Sequence, residues 1–177
     1  MDASTALELV LFILPAYVAN AAPVIFSGGP KLDLGKTFSD GKRIFGDGKT
    51  LFGFVGGVAC GVLAAAALAF LIPSLFIPAA SSLELKGFAG FLLAFGALCG
   101  DLIGSFFKRR MGMARGEPSI LLDQLTFLVV ALLFASQYYP PAAAGVDGLL
   151  FLVVLTFVLH LFFNVLAHRL HLKSVPW

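Results

Sequence analysis

Three charged stretches stand out in a chain that carries few charges. In Gly100-Asp101-Leu102-Ile103-Gly104-Ser105-Phe106-Phe107-Lys108-Arg109-Arg110 an acid, a hydroxyl and a lysine recur at i, i+4 and i+7, which is one face if the segment is helical. Leu102, Ile103, Phe106 and Phe107 are then expected to cover the lipid side. A second acid, Asp123, opens the next apolar run in Leu122-Asp123-Gln124. The third stretch holds Asp40-Gly41-Lys42-Arg43 and Gly46-Asp47-Gly48-Lys49-Thr50. Gly48-Lys49-Thr50 looks like the end of a Walker A loop, but that motif requires glycine at position 43, where Arg43 stands, so this is no P-loop. Glycines that free backbone N–H groups, a lysine and a helix N-terminus still make a corner suited to phosphate.

These residue types suit one kind of chemistry. Magnesium prefers oxygen ligands and commonly uses one or two carboxylates together with substrate phosphates, so Asp101 and Asp123 are the candidate ligands, with Glu117 and Asp47 as weaker ones. No histidine base or activated serine accompanies them. Nucleotidyl transfer to a phosphate needs neither, because its nucleophile is already an anion and the work is to neutralise charge and align the attacking oxygen. The same residues have other readings. Asp101 would serve a small ion-coupled transporter as its buried acid, Lys108 to Arg110 would serve as a stop-transfer anchor, and Asp123 as a helix N-terminal residue favoured by the macrodipole. A structural membrane subunit would need none of this chemistry.

The elements that must position these residues are membrane spans. The chain has 177 residues, of which 59% are hydrophobic and 12% charged, with a mean hydropathy of +0.97; soluble domains run near half and a quarter. At about 20 residues per crossing of a roughly 30 Å hydrocarbon layer, five windows emerge: Leu9 to Phe26, Thr50 to Leu83, Gly87 to Phe107, Gln124 to Val146 and Gly148 to Ala167. Pro73 and Pro78 predict that the second helix ends near Ile72 and gives way to an apolar loop. The first window has no Lys or Arg before it, which argues against a cleaved signal. Cys60 and Cys99 lie in apolar runs, so neither a disulfide framework nor a zinc knuckle is available.

Eleven of the twelve Lys and Arg residues fall in the loop near 27–49, the loop near 106–122 and the tail, and only Lys86 lies on the opposite side. Positive charge marks the cytoplasm. The expectation is therefore an all-α integral membrane protein of five transmembrane helices, a single catalytic domain over 1–177, with its N-terminus outside, its C-terminus cytoplasmic and two long cytoplasmic loops. It would be a multi-pass protein of the cell membrane with its active site on the cytoplasmic side.

Other features read as packing. Gly53, Gly57 and Gly61, and Gly96, Gly100 and Gly104, are doubled small-xxx-small rows that let backbones approach in lipid, either between helices 2 and 3 of one chain or across a homodimer. His160, Asn164, His168 and His171 share one face of the last helix. A polar seam is the favoured reading, a metal site the alternative. Asn20 with Tyr17 would be hydrogen-bonded to a neighbouring helix or would line a pocket.

Taken together, Gly-Asp-Leu-x-x-Ser-x-x-Lys-Arg at 100–109 resembles the CTP-dependent cytidylyltransferases that make CDP-activated lipids. The Asn20-Ala-Ala-Pro23 stretch and the loop at 40–50 resemble their short archaeal branch, the CDP-archaeol synthases, over nearly the whole chain. Ala114-Arg115 stands where the bacterial pattern has Lys-Asp, and its His-Gly-Gly before an Asp-Arg pair is missing, with Ser119-Ile120-Leu121-Leu122 ahead of Asp123-Gln124. The resemblance implies CTP and 2,3-bis-O-geranylgeranyl-glycerol 1-phosphate as substrates, pyrophosphate as product, magnesium as cofactor and no nucleic-acid partner. Asp101, Ser105, Lys108, Arg109 and Asp123 carry over as site residues. Asp101, Lys108 and Asp123 would be catalytic, with Asp101 and Asp123 on the metal. Gly46, Asp47, Gly48, Lys49, Thr50, Ser105, Lys108 and Arg109 would hold the CTP phosphates, and Asn20 with helix 5 would border the lipid entry.

Overall fold

The computed structural model describes residues 1–114, 116–140 and 145–171, and among these it is all-helical. Five helices follow in order: α1 (Ala3–Ala21), α2 (Leu51–Leu71), α3 (Leu83–Arg110), α4 (Ile120–Phe134) and α5 (Val146–Arg169). Four of them, α1, α2, α3 and α5, are long and apolar enough to cross a bilayer.

Local signals set several of these ends. Asp2 accepts from the Thr5 N–H at 2.9 Å, so α1 starts before the apolar run that predicts it at Leu9; a side-chain oxygen here satisfies an orphan N–H that apolarity alone does not reveal. Thr50 caps α2 through Gly53 N and Ser82 caps α3 through Leu85 N, each at 3.2 Å. α2 stops at Leu71, as the prolines predict. α3 is longer than expected and passes unbroken through the acid-serine-lysine stretch to Arg110, with Lys108, Arg109 and Arg110 in its last turn, where cations meet the negative end of the macrodipole. The second charged loop consequently shrinks to residues 111–119.

The window for α4 is corrected most. It spans Ile120–Phe134 instead of Gln124 to Val146 and passes into a 3-10 turn at Ser136–Tyr138. Pro140 follows, and a proline disfavours the helical region for the residue before it. At 15 residues α4 is about 22 Å long, shorter than a usual crossing.

α3 is the central post, packed on α1, α2 and α4, while α5 lies at the edge against α4 and α1. Leu9, Phe12 and Ile13 of α1, Leu93 of α3, Leu128 of α4 and Leu152 of α5 form the core, all at most 2% exposed. The glycine rows do not meet one another. Gly57 lies against Ala19 and Leu98 and Gly61 against Pro15 and Ala94, so the α2 row faces α1 and α3; Gly96, Gly100 and Gly104 face the α4 backbone. Both rows are used within the chain and neither supplies a dimer seam. Lys86, the one Lys or Arg of the far end among the described residues, is buried and donates to the carbonyls of Phe76, Ile77 and Pro73 at 2.5, 2.8 and 2.9 Å, which fixes the apolar loop after α2.

Candidate active site

Both charged loops lie at the same end of the bundle, where the end of α3 and the start of α4 meet. The loop at 27–50 is tied together by one carboxylate that the sequence reading passed over. The Asp33 side chain has no solvent exposure. It accepts from the Gly35, Phe45 and Gly46 N–H groups at 3.1 Å and from Arg43 Nε at 3.2 Å, and it also pairs with Arg43 Nη2. Burial works to raise its pKa, but the Arg43 guanidinium and the three N–H groups outweigh that and hold the carboxyl at about 2. The clue in the sequence is Asp33 two residues before Gly35, the spacing of an Asx turn.

The loop is then strapped to α3. Arg110 Nη2 donates to the Arg43 carbonyl at 2.5 Å, and its Nε stands 2.7 Å from Asp40 Oδ2. Its guanidinium lies 5.2 Å from the Phe38 ring centre and 4.7 Å from that of Phe106, close enough for cation–π attraction. Phe106 therefore packs on the loop, a departure from the lipid-facing expectation, while Ile103 and Phe107 stay exposed. Lys42 Nζ donates to the Arg110 carbonyl at 2.9 Å.

This scaffold brings Lys49 onto α3. Lys49 Nζ stands 2.5 Å from Asp101 Oδ2, with both side chains about a quarter exposed, at 26% and 28%. Two helical turns further on, about 10 Å along the axis, Lys108 Nζ donates to both Asp123 oxygens at 2.9 Å and also to the Glu117 carbonyl. Asp123 Oδ2 accepts from the Ser119 N–H at 2.9 Å as well, so this acid serves both the helix start and the ion pair. The backbone of α4 reaches this site because Gly100 and Gly104 face Thr126 and Leu122. Ser105, half-buried, lies one turn past Asp101 on α3.

The remaining predicted residues divide. Gly46 adopts φ +93° beside the aliphatic part of Arg109, a conformation that favours glycine. Its N–H is committed to Asp33. Asp47 pairs with Lys31 and with Arg43 Nη1 at 2.7 Å; these hydrogen bonds, Lys31 foremost, hold its carboxyl below the usual range. The Thr50 hydroxyl caps α2. Glu117 is exposed and closes its own turn through Ala114 N at 2.7 Å. Arg109 Nη2 donates to the Ala114 carbonyl at 3.1 Å, whereas its Nε is buried with no hydrogen-bond partner among the described residues. A cationic donor left over beside Gly46 is what a phosphate oxygen would satisfy. Arg115 lies outside the described residues.

No group of three or more His, Cys, Asp or Glu side chains assembles among the described residues. Asp101 and Asp123, each paired with a lysine and 28% and 30% exposed, are each open enough to offer an oxygen to an ion that completes its shell with phosphate and water, which is magnesium's habit. They do not fit an ion that needs a full cage of protein ligands. His160 and Asn164 line a cavity together with Tyr17 and Asn20; His168 is not among its lining residues, and His171 lies past the end of α5 at Arg169, so it does not share the helix face predicted for it.

An all-helical bundle with acid–lysine pairs at one end, and with four helices long and apolar enough to cross a bilayer, defines a multi-pass membrane protein. Comparison with known proteins gives it a family. The profile of the CarS-like CDP-archaeol synthases matches residues 4–177. The CDP-archaeol synthase of Archaeoglobus fulgidus is 50% identical over 175 residues, covering 97% of each chain. That of Pyrococcus abyssi is 47% identical over 170 residues, covering 96% of this chain and 97% of the relative. A solved structure described as an intramembrane enzyme for archaeal membrane lipids biosynthesis superposes with a TM-score of 0.75 at 35% identity, covering 88% of this chain and 92% of that one. The chain belongs to the CDP-archaeol synthase family. It is a nucleotidyltransferase of membrane-lipid synthesis, and the transporter reading of Asp101 falls away.

Proposed function

We propose that this enzyme transfers the cytidylyl group of CTP to the phosphate of 2,3-bis-O-geranylgeranyl-glycerol 1-phosphate, releasing pyrophosphate and leaving CDP-archaeol in its unsaturated form. The observation that carries the reading is the pair of lysine–carboxylate contacts, Lys49–Asp101 and Lys108–Asp123, at the loop end of the α3–α4 seam. Acids that lysines hold in place are poised to change partners when a triphosphate brings its own charge.

The lipid phosphate oxygen attacks the α-phosphorus of CTP, and the bond from that phosphorus to the bridging oxygen of the β-phosphate breaks. The electron pair leaves with pyrophosphate, and no proton moves. Lys49, Lys108 and Arg109 would neutralise the triphosphate oxygens, Ser105 and Thr50 would add hydroxyl donors, and the backbone at Gly46, Asp47 and Gly48 would border them. Because the Gly46 N–H already serves Asp33, its part is to keep the turn open beside Arg109. Asp101 and Asp123 would hold magnesium, which supplies further charge neutralisation on the phosphates. Apart from Lys86, every Lys or Arg among the described residues lies at the loop end of the bundle, which supports a cytoplasmic site, an outside N-terminus and α4 as a fifth, short membrane-embedded helix.

The test is pyrophosphate release by purified protein given CTP and the isoprenoid ether lipid phosphate. Release is expected, to be abolished by EDTA and restored by magnesium. Release unaffected by EDTA would remove the metal, and none with any phosphorylated lipid would remove the reaction.

A further inference from the structure

One residue of the loop at 27–50 stands where its own type is costly. Asp33 to Lys36 form a tight turn, closed by the Lys36 N–H on the Asp33 carbonyl at 2.8 Å. Its two central residues both lie in the left-handed region, Leu34 at φ +50° and Gly35 at φ +81°. Asn and Gly suit such a turn, and a leucine is strained there. Ile77 shares that conformation at φ +46° but is 2% exposed, so burial in the core offsets its strain. Leu34 is 72% exposed, and the chain gives it no such compensation. Backbone strain kept for an outward-facing apolar side chain points to something outside the chain.

The turn stands close to the bilayer. The Leu34 N–H donates to the Lys31 carbonyl at 3.0 Å, and Lys31 is bridged to Thr50, the cap of α2. The Leu32 N–H donates to the Lys49 carbonyl and the Leu51 N–H to the Pro30 carbonyl, both at 2.9 Å. The turn is therefore fastened next to the start of a helix long and apolar enough to cross the membrane. Around that start Ile25 and Phe52 are 71% and 58% exposed, and Phe52 lies against Gly29. Charge is as uneven as apolarity. The three acids of the loop are all engaged within the protein, Asp33 with Arg43, Asp47 with Lys31 and Arg43, and Asp40 with Arg110. Lys36, two residues from Leu34, is exposed and makes no ion pair among the described residues.

We infer that this turn docks on the anionic phospholipid surface of the leaflet at the loop end of the bundle: Leu34 enters the headgroup region and Lys36 meets lipid phosphates. A lysine beside an exposed apolar residue matches that surface, because its stem lies along hydrocarbon while its ammonium stays with the headgroup charge. A soluble partner would have to reach a tip held at the bilayer edge, whereas the leaflet is already beside it. The same loop carries Lys49 to Asp101, so the charge of the leaflet would steady the contact between the loop and the central helix.

The experiment uses the full chain with Trp177→Phe and Leu34→Trp, which leaves one indole, at the turn. The protein is placed in nanodiscs of brominated phosphatidylcholine, with or without brominated phosphatidylglycerol. Quenching and a blue shift of the indole emission are expected in the anionic discs and are expected to weaken at high salt, because screening shortens the reach of surface charge. Water-like emission in both discs overturns the inference and leaves the tip to a soluble partner; equal quenching in both overturns it as well. A second reading keeps Leu34. Trypsin cleavage after Lys36 in the wild-type protein is expected to be about fivefold slower in anionic than in neutral discs, the size of one lysine's attraction to such a surface. In Leu34→Asp the two rates are expected to be equal. Equal rates in the wild type, or a difference that Leu34→Asp retains, would also overturn it. Neither readout involves CTP, so a failed cytidylyl transfer leaves this inference standing, and a turn found free in water leaves the transfer standing.

Discussion

Lys49 and Asp101 are 52 residues apart in sequence and 2.5 Å apart in space. That contact docks the first charged loop onto the central helix, and it gives the membrane acid a cationic partner. Asp101→Asn keeps the shape and removes the charge. Turnover is expected to fall by about 10² or more, while the thermal unfolding midpoint in detergent moves little, because the pair is about a quarter exposed. Lys49→Met should raise KM for CTP more than it lowers kcat.

The Lys108–Asp123 pair behaves differently because Lys108 is only 9% exposed. Asp123→Asn leaves that ammonium short of a counter-charge and should cost about 2 kcal/mol of stability along with activity. The double variant with Lys108→Met should regain part of the stability and none of the turnover. Recovery of turnover in the double variant would show that the pair is only a brace.

Asp33 offers a pH test. Its folded pKa of about 2 is depressed from the usual 3.8, so its contribution is complete above about pH 4 and is lost as pH falls toward 2, as linkage requires for an acid whose folded pKa is lowered. Asp33→Asn should erase that dependence in a limited-proteolysis assay of the loop. At neutral pH it should raise KM for CTP with a smaller change in kcat, since Asp33 touches the loop and not the acids.

Gly100→Ala and Gly104→Ala test the seam that holds the site. A Cβ at either position would land on an α4 carbonyl, that of Thr126 or Leu122. Each variant should lose about 1–3 kcal/mol and shift α4, with loss of activity. Gly87→Ala is the control, since open space surrounds it; its unfolding midpoint should match that of the wild type.

Much of this protein was legible in the order of its residues. A lipid environment dictates apolar runs of crossing length, so α2, α3 and α5 stand close to where the windows place them. Charge asymmetry put both loops on one side, and a period of 3.6 aligned Asp101, Ser105 and Lys108. The limits of α1 and α4 were less legible, because a cap at Asp2 and a turn before Pro140 are local hydrogen-bond and steric events that hydropathy does not register.

What only the tertiary structure decided is who meets whom. Asp33 reads as one more loop acid until folding surrounds it with Arg43 and three backbone N–H groups. The glycine rows announce close approach without naming the partner, because a missing Cβ permits contact with any backbone; packing gave one row to α1 and α3 and the other to α4. Sequence determines which groups exist and which helix face each occupies, since both follow from short-range geometry. The pairing of Lys49 with Asp101 and of Lys108 with Asp123 depends on how the helices cross and how the loop folds back, and those are properties of the assembled bundle.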